Sequence, residues 1–272
     1  MTRPGDGPFT ERTPRVAAAR ALTRRAGRVK AGRFLAEGAQ AVREALRWSI
    51  DGRGAVHEVF AVAMPEDLVA LAARAGVPVS AVTERAAAGL SETVTPQGIV
   101  AVCDLVDVPL ADALAGSPRL VAVLAGVADP GNAGTVLRVA DAAGADAVIL
   151  AGHTVDPHNG KCVRASTGSL FHLPVARAGV EETLGVCRAA GLRLVAADGH
   201  AADDITADAG LAEPTAWVFG SEAHGLPGDV VARLDRSLRV PVYGAAESLN
   251  LATAAAVCLY ATAWRQRAPG AR

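Results

Sequence analysis

The strongest constraint on the fold is the regular alternation of short apolar segments with Ala-rich helical segments after about residue 119. Short Val- and Leu-rich runs are typical of strands that are buried on both faces. Strands separated by helices build a parallel sheet with helices on both of its faces. The sequence therefore predicts an α/β domain over residues 119–267. Its predicted elements are strands at Leu120–Leu124, Ala147–Leu150, Leu192–Ala196, Trp217–Gly220 and Leu238–Val242, and helices at Ala133–Ala143 and Asn250–Arg265.

A smaller α/β domain is predicted to precede it, over residues 14–106. Apolar spacing near 3.6 residues indicates helix, and alternation indicates strand. The predicted elements are a helical stretch from Pro14 to about Trp48, strands at Val56–Val62, Val77–Val79 and Gly98–Cys103, and a helix at Asp67–Ala75. The Pro, Ala, Gly and Ser content of residues 107–118 predicts a linker between the two domains.

The N-terminal 34 residues are unusually basic. They contain nine Arg or Lys and two acidic residues, whereas the whole chain has a net charge of −1. Residues 1–13, which are rich in Gly, Pro, Thr and charge, are predicted to form a disordered basic arm. A basic arm on an acidic body favours an anionic partner, although a solvated tail has the same composition.

Several classes of protein and site are disfavoured. Apolar runs are shorter than the roughly 18–20 residues of a membrane span, and the Arg-rich N-terminus lacks the apolar stretch of a secretion signal. We therefore expect a cytoplasmic protein with no membrane partner. The four cysteines are widely spaced, which indicates buried thiols in a reducing compartment. No His/Cys/Asp cluster has metal-ligand spacing, so no metal is expected.

The usual nucleotide-binding motifs are also missing from the sequence. No G-x-G-x-x-G follows the first strand of either predicted domain, and Gly152 is too far from Gly160–Lys161 for a phosphate-binding P-loop. No G-x-S-x-G nucleophile elbow occurs. A cofactor bound to this α/β sheet must therefore be held by another loop architecture.

Residues 129–138 form the first of three segments that combine a strand or helix end with glycines and polar side chains. Asn132 is a good helix-capping type, and the N–H groups of a helix start suit an anion. Arg138 lies six residues further on, and we expect it to reach back along one helix face. Taken alone, Asn132 is equally consistent with an ordinary cap and Arg138 with a surface charge.

The second and third segments follow strands later in the chain. Residues 217–227 carry an apolar strand into a loop that contains Glu222, and residues 240–251 lead from a short strand through Ser248 to Asn250. Ligands in open α/β sheets lie beyond the carboxyl ends of strands, so these loops are candidates for a site. The alternative for each loop is an ordinary turn or a helix cap.

Together, and in this order, the three segments resemble the three sequence motifs of the SpoU (TrmH-like) RNA methyltransferases of the SPOUT superfamily. The matching residues are Asn132–Arg138 for the first motif, Phe219-Gly220-Ser221-Glu222 with Gly225-Leu226 for the second, and Val240-Pro241 with Ser248-Leu249-Asn250 for the third. Upstream, residues 32–38 and 96–99 resemble the N-terminal substrate-binding domain of this family. The resemblance spans about residues 20–266.

The resemblance implies a fold, a cofactor and an assembly. It implies a C-terminal parallel-sheet α/β domain with a deep trefoil knot, preceded by a small L30e-like α/β substrate-binding domain. It implies that S-adenosylmethionine (S-adenosyl-L-methionine) is held largely by backbone groups, and that the protein is a homodimer. The implied cofactor-binding residues are Gly220, Val240 and Leu249, with Phe219, Ser221 and Pro241 beside them.

The resemblance further implies methyl transfer to a ribose 2′-hydroxyl of structured RNA, with ribosomal RNA favoured over transfer RNA. The implied catalytic residues are Arg138, Asn132, Glu222, Ser248 and Asn250. Arginine is a difficult base because its pKa exceeds about 12, so we expect Arg138 to engage an RNA phosphate and the 2′-oxygen. The competing hypotheses are a non-catalytic RNA-binding protein that kept the fold and a metabolic enzyme with a nucleotide cofactor.

Overall fold

Two separate β-sheets organise the chain. The computed structural model describes residues 7–268. One compact unit comprises the chain up to Val106 together with His158–His172, and the other comprises Asp107–Pro157 and the chain from Leu173 onward. Because residues 158–172 group with the first unit, the two units are not the two continuous stretches that the sequence pattern predicts.

The described chain contains the following helices and strands. In chain order they are α1 Pro14–Ala21, α2 Arg25–Ala31, β1 Arg33–Glu37, α3 Ala39–Ile50, β2 Val56–Ala61, α4 Glu66–Arg74, β3 Val79–Ala81, α5 Glu84–Ala88, β4 Ile99–Asp104, α6 Leu110–Ala113, β5 Leu120–Ala125, α7 Pro130–Ala143, β6 Ala147–Ala151, α8 Gly160–Ser166, β7 Val175–Ala178, α9 Val180–Ala189, β8 Arg193–Ala197, β9 Asp203–Asp204, β10 Thr215–Phe219, α10 Gly228–Val231, β11 Arg236–Arg239 and α11 Leu251–Gln266.

The first unit is built on a four-stranded sheet in the order β1-β4-β2-β3. Strand β4 pairs antiparallel with both β1 and β2, and β2 pairs parallel with β3. The predicted helical stretch from Pro14 to Trp48 is wrong at Arg33–Glu37, which form β1. Gly32 ends α2 in the left-handed region at φ 63° and Gly38 turns the chain at φ 98°, so the apolar residues between them pair with β4 rather than continue a helix.

The structure also departs from the predicted arm and linker. Phe9 donates its N–H to Ala81 and accepts from Thr83, so the predicted disorder is wrong at this position, while residues 1–6 lie outside the described residues. Residues 107–118 contain helix α6, whose Leu110 is buried in the core of the second unit. This stretch therefore packs as part of that unit, because its apolar side chains outweigh its loop-like composition.

The second unit is built on a seven-stranded sheet in the order β7-β6-β5-β10-β8-β11-β9. Every pair of neighbouring strands is parallel, which confirms the predicted parallel α/β domain. Strand β10 enters the sheet between β5 and β8, although it follows β8 in the chain. Strands β5 and β10 are buried along their whole length, so the middle of the sheet lies in the core.

A buried hydrogen bond connects the central strand to the last helix of this unit. The indole Nε1–H of Trp217 on β10 donates to the Thr262 hydroxyl on α11 at 2.8 Å, and both residues are 0% exposed. Trp217 is also stacked against Phe219, with ring centroids 6.3 Å apart. A buried indole N–H needs a partner, so Thr262 fixes how α11 lies on the sheet.

We predict that Thr262→Val lowers the free energy of unfolding by about 1–3 kcal/mol, because it leaves the Trp217 N–H buried without an acceptor. Thr262→Ser keeps the hydroxyl and is expected to cost less. Urea denaturation followed by tryptophan fluorescence measures both. Equal stability of the Thr262→Val variant and the parent chain would contradict a structural role for this hydrogen bond.

All four cysteines are buried thiols, and burial raises the pKa of Cys187 to about 12. Within residues 7–268, no helix is both long and apolar enough to cross a membrane.

Candidate active site

Three neighbouring parallel strands of the second unit end at one edge of the sheet. Strands β8, β10 and β11 end at Ala197, Phe219 and Arg239, and the loops that follow them surround a cavity of about 740 Å³. A cavity beyond the carboxyl ends of parallel strands is where ligands of open α/β sheets bind, and this volume lies in the usual range for small-molecule sites.

Glu222 is the residue through which the loop after β10 is fixed to the start of α7. Its carboxylate accepts hydrogen bonds from the backbone N–H groups of Ala128 and Asp129, both at 3.2 Å, and from Asn132 Nδ2 at 3.0 Å. One carboxylate thus holds the segment that precedes α7 and the first turn of that helix. Glu222 also lines the cavity.

Asn132 connects this carboxylate to the third loop. While its Nδ2–H donates to Glu222, its Oδ1 accepts from Asn250 Nδ2 at 3.0 Å. Asn250 in turn caps α11, because its Oδ1 accepts from the backbone N–H groups of Ala252 and Thr253 at 2.9 and 3.3 Å. An unbroken chain of hydrogen bonds therefore runs from the loop after β10, through α7, to the start of α11.

The helix cap at α7 differs from the expectation. The N-cap residue is Asp129, whose Oδ1 accepts from Asn132 N–H at 2.8 Å, and Pro130 occupies the first helical position. Because the Asp129 carboxylate already caps the helix, the Asn132 amide remains available for Glu222 and Asn250. The interpretation of Asn132 as an ordinary cap is therefore wrong.

Two opposing effects set the pKa of Glu222. Partial burial raises it, but hydrogen bonds from the Asn132 side chain and from backbone N–H groups, including those of Ala128 and Asp129, outweigh burial and hold the pKa below its ordinary value. The carboxylate is thus ionised at neutral pH. An ionised acceptor makes these hydrogen bonds stronger than neutral ones.

Gly220 is required by the shape of its own loop. Residues Ser221 and Gly225 close the loop by exchanging two backbone hydrogen bonds at 3.0 and 2.9 Å. A Cβ at Gly220 would lie 2.2 Å from the carbonyl carbon of Gly225, which is far inside van der Waals contact. The turn itself therefore requires a glycine at position 220. The sequence did not indicate this steric requirement.

The structure brings most of the residues predicted from the sequence to one cavity. The predicted site residues that line it are Phe219, Gly220, Ser221, Glu222, Val240, Ser248, Leu249 and Asn250. Asn132 is joined to this set by its bonds to Glu222 and Asn250. Pro241 and Arg138 are not among the lining residues.

Arg138 lies apart from the other predicted catalytic residues of the same chain. It is exposed on α7, six residues after Asn132, which places it about 9 Å along the helix and roughly 120° around the axis. The backbone thus places the two residues on different faces of α7, and the reach of the Arg138 side chain back towards Asn132 stays a prediction.

Sequence reasoning missed one wall of the cavity. Residues Asp198–His200, which follow β8, line it, as do His224 and Glu247. The Asp198 carboxylate accepts from the His200 N–H at 2.9 Å and shapes this loop. Its position directly after a buried strand was the signal that could have identified it. Within the described residues, no group of three or more His, Cys, Asp or Glu side chains could hold a metal ion.

The chain matches the sequence models of two known protein families. The sequence model of the SpoU rRNA Methylase family matches residues 119–260, and the model of an MRM3-like substrate binding domain matches residues 13–101. The chain belongs to the SpoU rRNA methylase family.

Relatives along most of the chain support this membership in the SpoU family. The 23S rRNA (guanosine(2553)-2′-O)-methyltransferase RlmP of Bacillus subtilis is 37% identical over 239 residues, which cover 86% of this chain and 89% of that protein. The 23S rRNA (guanosine-2′-O-)-methyltransferase RlmB of Bordetella pertussis is 33% identical over 202 residues, which cover 72% of this chain and 81% of that protein.

Solved structures agree with the fold of this SpoU-family chain. An AdoMet-bound rRNA methyltransferase from Sinorhizobium meliloti matches with a TM-score of 0.82 at 33% identity, covering 94% of this chain and 96% of that one. The SpoU methyltransferase AviRb from Streptomyces viridochromogenes, in complex with AdoMet, matches with a TM-score of 0.80 at 29% identity, covering 94% and 99%. Both matches span nearly the full length of the chain.

We predict that Asn132→Ala raises the pKa of Glu222 towards its ordinary value of 4.5, because the carboxylate loses a donor. Because the folded-state pKa is depressed, the contribution of Glu222 to stability is complete above its ordinary pKa and is lost as the pH falls through the lower folded value. A carbon-detected NMR titration measures the shift.

Thr135→Ala provides the matched control for this titration. Thr135 lies on the same helix and its hydroxyl donates to Gly131, away from Glu222. An unchanged pKa of Glu222 in the Asn132→Ala variant would show that Asn132 does not hold the carboxylate.

Proposed function

We propose that this chain is an S-adenosylmethionine-dependent methyltransferase that methylates a ribose 2′-hydroxyl of ribosomal RNA. The observation that carries the proposal is the hydrogen-bond chain from Glu222 through Asn132 to Asn250. It joins one polar residue from each of the three family motifs beside a single cavity. Because these three side chains stand together beside a cavity of the size that small molecules occupy, we favour an enzyme over a non-catalytic RNA-binding protein.

The relatives support the reaction and the class of RNA. RlmP and RlmB are named as 23S rRNA 2′-O-methyltransferases, and two of the matched structures contain AdoMet. The N-terminal match to a substrate-binding domain supplies the part expected to hold RNA. A metabolic enzyme with a dinucleotide cofactor is disfavoured, since the chain lacks the glycine fingerprint of dinucleotide-binding folds and belongs to the SpoU rRNA methylase family.

The cavity fits S-adenosylmethionine by its charge and its free backbone donors. Asp198, Glu222 and Glu247 line it and complement the positive charge of the sulfonium and amino groups, while the exposed Val242 and Leu249 offer apolar surface for an adenine ring. Among residues 7–268, the backbone N–H groups of 242–249 donate no hydrogen bond to another protein group, so they are available to a ligand. We assign cofactor binding to Gly220, Val240, Leu249, Phe219, Ser221 and Pro241.

The chemistry requires alignment and charge stabilisation from the protein. Bound S-adenosylmethionine supplies a methyl sulfonium, which is a strong electrophile. A ribose hydroxyl is a weak nucleophile, so the chain must hold the 2′-oxygen in line with the methyl carbon. We assign this positioning to Asn132, Glu222 and Asn250, whose hydrogen bonds fix the loops beside the cavity, and to Ser248, which lines the cavity. We assign Arg138 to an RNA phosphate and to the negative charge that would develop on the 2′-oxygen, whose proton is released to solvent while the sulfur keeps the electron pair of the broken sulfur–methyl bond.

Methylation mapping tests the proposed function directly. Ribosomal RNA from a strain that lacks the gene is incubated with the purified protein and with S-adenosylmethionine that carries a deuterated methyl group. Mass spectrometry of the nucleosides is expected to show one 2′-O-methylated nucleoside that carries the label. A labelled base, or no label in the ribosomal RNA, would contradict the proposal.

We predict that Arg138→Ala lowers the turnover of methyl transfer by at least about 100-fold, in the range seen when one charge-stabilising donor is lost. Calorimetry is expected to show an affinity for S-adenosylmethionine within about three-fold of the parent chain, because Arg138 does not line the cavity. Arg74→Ala, at another exposed arginine, is the control and is expected to keep full turnover. Near-normal turnover of the Arg138→Ala variant would remove the assigned role.

We also propose that the protein is a cytoplasmic homodimer and that its C-terminal segment is threaded as the trefoil knot of the family. The family resemblance supports the knot, and the insertion of β10 between β5 and β8 shows a sheet order that departs from chain order. An exposed apolar stripe on α11 supports the dimer. Val257, Tyr260 and Trp264 recur at helical spacing, and Trp264 is 70% exposed.

We predict that Trp264→Glu shifts the protein from dimer to monomer, because it places a charge in the apolar stripe. Sedimentation equilibrium measures the change in mass. Val69→Glu, at an exposed valine of α4, serves as the control for an added surface charge and is expected to remain dimeric. A dimeric Trp264→Glu variant would place the subunit interface elsewhere.

A further inference from the structure

The first two helices present an unusual density of exposed cations. We name residues 14–31, which contain α1, α2 and the turn between them, the basic hairpin. Its side chains Arg20, Arg24, Arg25 and Lys30 are exposed, and Arg12 and Arg33 extend the charge at either end. The hairpin itself contains no acidic residue.

The described part of the protein does not neutralise these four cations. Among residues 7–268, Arg20, Arg24, Arg25 and Lys30 form no ion pair with a carboxylate. Other basic residues nearby do, since Arg15 binds Glu58 at 3.0 Å and Arg85 binds Glu11 at 3.4 Å. The uncompensated charge of these four residues therefore lies within the hairpin.

Arg28 differs from its neighbours and builds the hairpin. It is 4% exposed, and its guanidinium donates to the carbonyl oxygens of Leu22 and Thr23 at 3.0 and 2.9 Å. These are carbonyls at the end of α1, so Arg28 ties the two helices together. A Cβ at Gly27 would lie 1.9 Å from the Ala21 carbonyl oxygen, which shows how closely the helices approach.

The hairpin is also anchored to the sheet of its unit. Val16, Ala19 and Leu22 of α1 are buried in one cluster with Leu35 and Val100 of the sheet. A cationic surface on such a fixed support loses little conformational entropy on binding. The basic hairpin differs in this respect from a flexible basic tail, which would lose conformational entropy when it became ordered on RNA and would therefore bind more weakly.

We propose that the basic hairpin is a phosphate clamp that grips the RNA backbone without reading its sequence. Arg20, Arg24, Arg25 and Lys30 contact phosphates, whereas Arg28 is structural and contacts none. The hairpin has no aromatic, Asn or Gln side chain, so its exposed cations are its main RNA-binding groups. Contacts of Arg and Lys with phosphate position a nucleic acid and carry no sequence information. This proposal rests on the proposed function, because that function is what identifies the bound polyanion as RNA.

The test measures RNA affinity over a series of salt concentrations for the full-length chain. The probes are two fluorescein-labelled RNA hairpins of equal length and unrelated sequence. Each phosphate that is neutralised adds about 0.7–0.9 to the magnitude of the log–log salt slope. Arg24→Gln/Arg25→Gln is therefore expected to flatten the slope by about 1.5 with both probes, and to leave S-adenosylmethionine affinity unchanged.

Two further variants keep the result interpretable. Arg74→Gln/Arg265→Gln removes the same charge from exposed positions elsewhere and is expected to leave the slope almost unchanged. An equal flattening in this control would overturn the clamp in favour of a general charge effect. Arg28→Leu is expected to lower the melting temperature, whereas Arg24→Gln/Arg25→Gln is not.

The outcome is separable from the proposed function. At saturating ribosomal RNA, the Arg24→Gln/Arg25→Gln variant is expected to retain methyl transfer. A parent-like salt slope together with normal methyl transfer would disprove the clamp and leave the enzyme assignment intact. A flattened slope with only one of the two probes would also overturn the proposal, because it would show that the hairpin reads sequence.

Discussion

The geometry of the candidate active site depends on one amide, the side chain of Asn132, held between a carboxylate and a second amide. Its Nδ2–H donates to Glu222 and its Oδ1 accepts from Asn250, so both of its polar atoms are fixed. This orientation requires an ionised Glu222, whose depressed pKa follows from the donors around it. Three loops that are up to 118 residues apart in sequence are thereby held together by hydrogen bonds.

The parallel sheet explains why these loops meet. Strands β8, β10 and β11 end at one edge, and the capped starts of α7 and α11 are joined beside that edge. Asp129 and Asn250 cap the two helices through their own side chains, which leaves the Asn132 amide for the connection between loops. The Trp217–Thr262 hydrogen bond fixes α11 to the sheet, so the same helix that carries Asn250 is anchored at its other end.

The sequence predicted the helices and strands whose apolar pattern has a clear period. It missed strand β1, whose conformation is decided by pairing with another strand. The strands of the parallel sheet were evident because buried strands are continuous apolar runs. Strand β1 was read as helix, since Phe34 and Leu35 fit both periods and only pairing with β4 decides between them. The site residues were found by motif order, whereas the Asp198–His200 wall belongs to no motif and had only its position directly after a buried strand as a signal.

Identical residue types take opposite roles according to burial, which no sequence pattern shows. Arg24, Arg25 and Arg28 lie within five positions of the sequence. The guanidinium of Arg28 donates hydrogen bonds to the carbonyl oxygens of Leu22 and Thr23, whereas Arg24 and Arg25 are exposed to solvent. A buried guanidinium that satisfies main-chain carbonyls stabilises the turn, and the exposed ones can then act together on a polyanion. The buried Arg28 therefore stabilises the turn that holds the exposed cations close together, and this arrangement allows them to bind one polyanion.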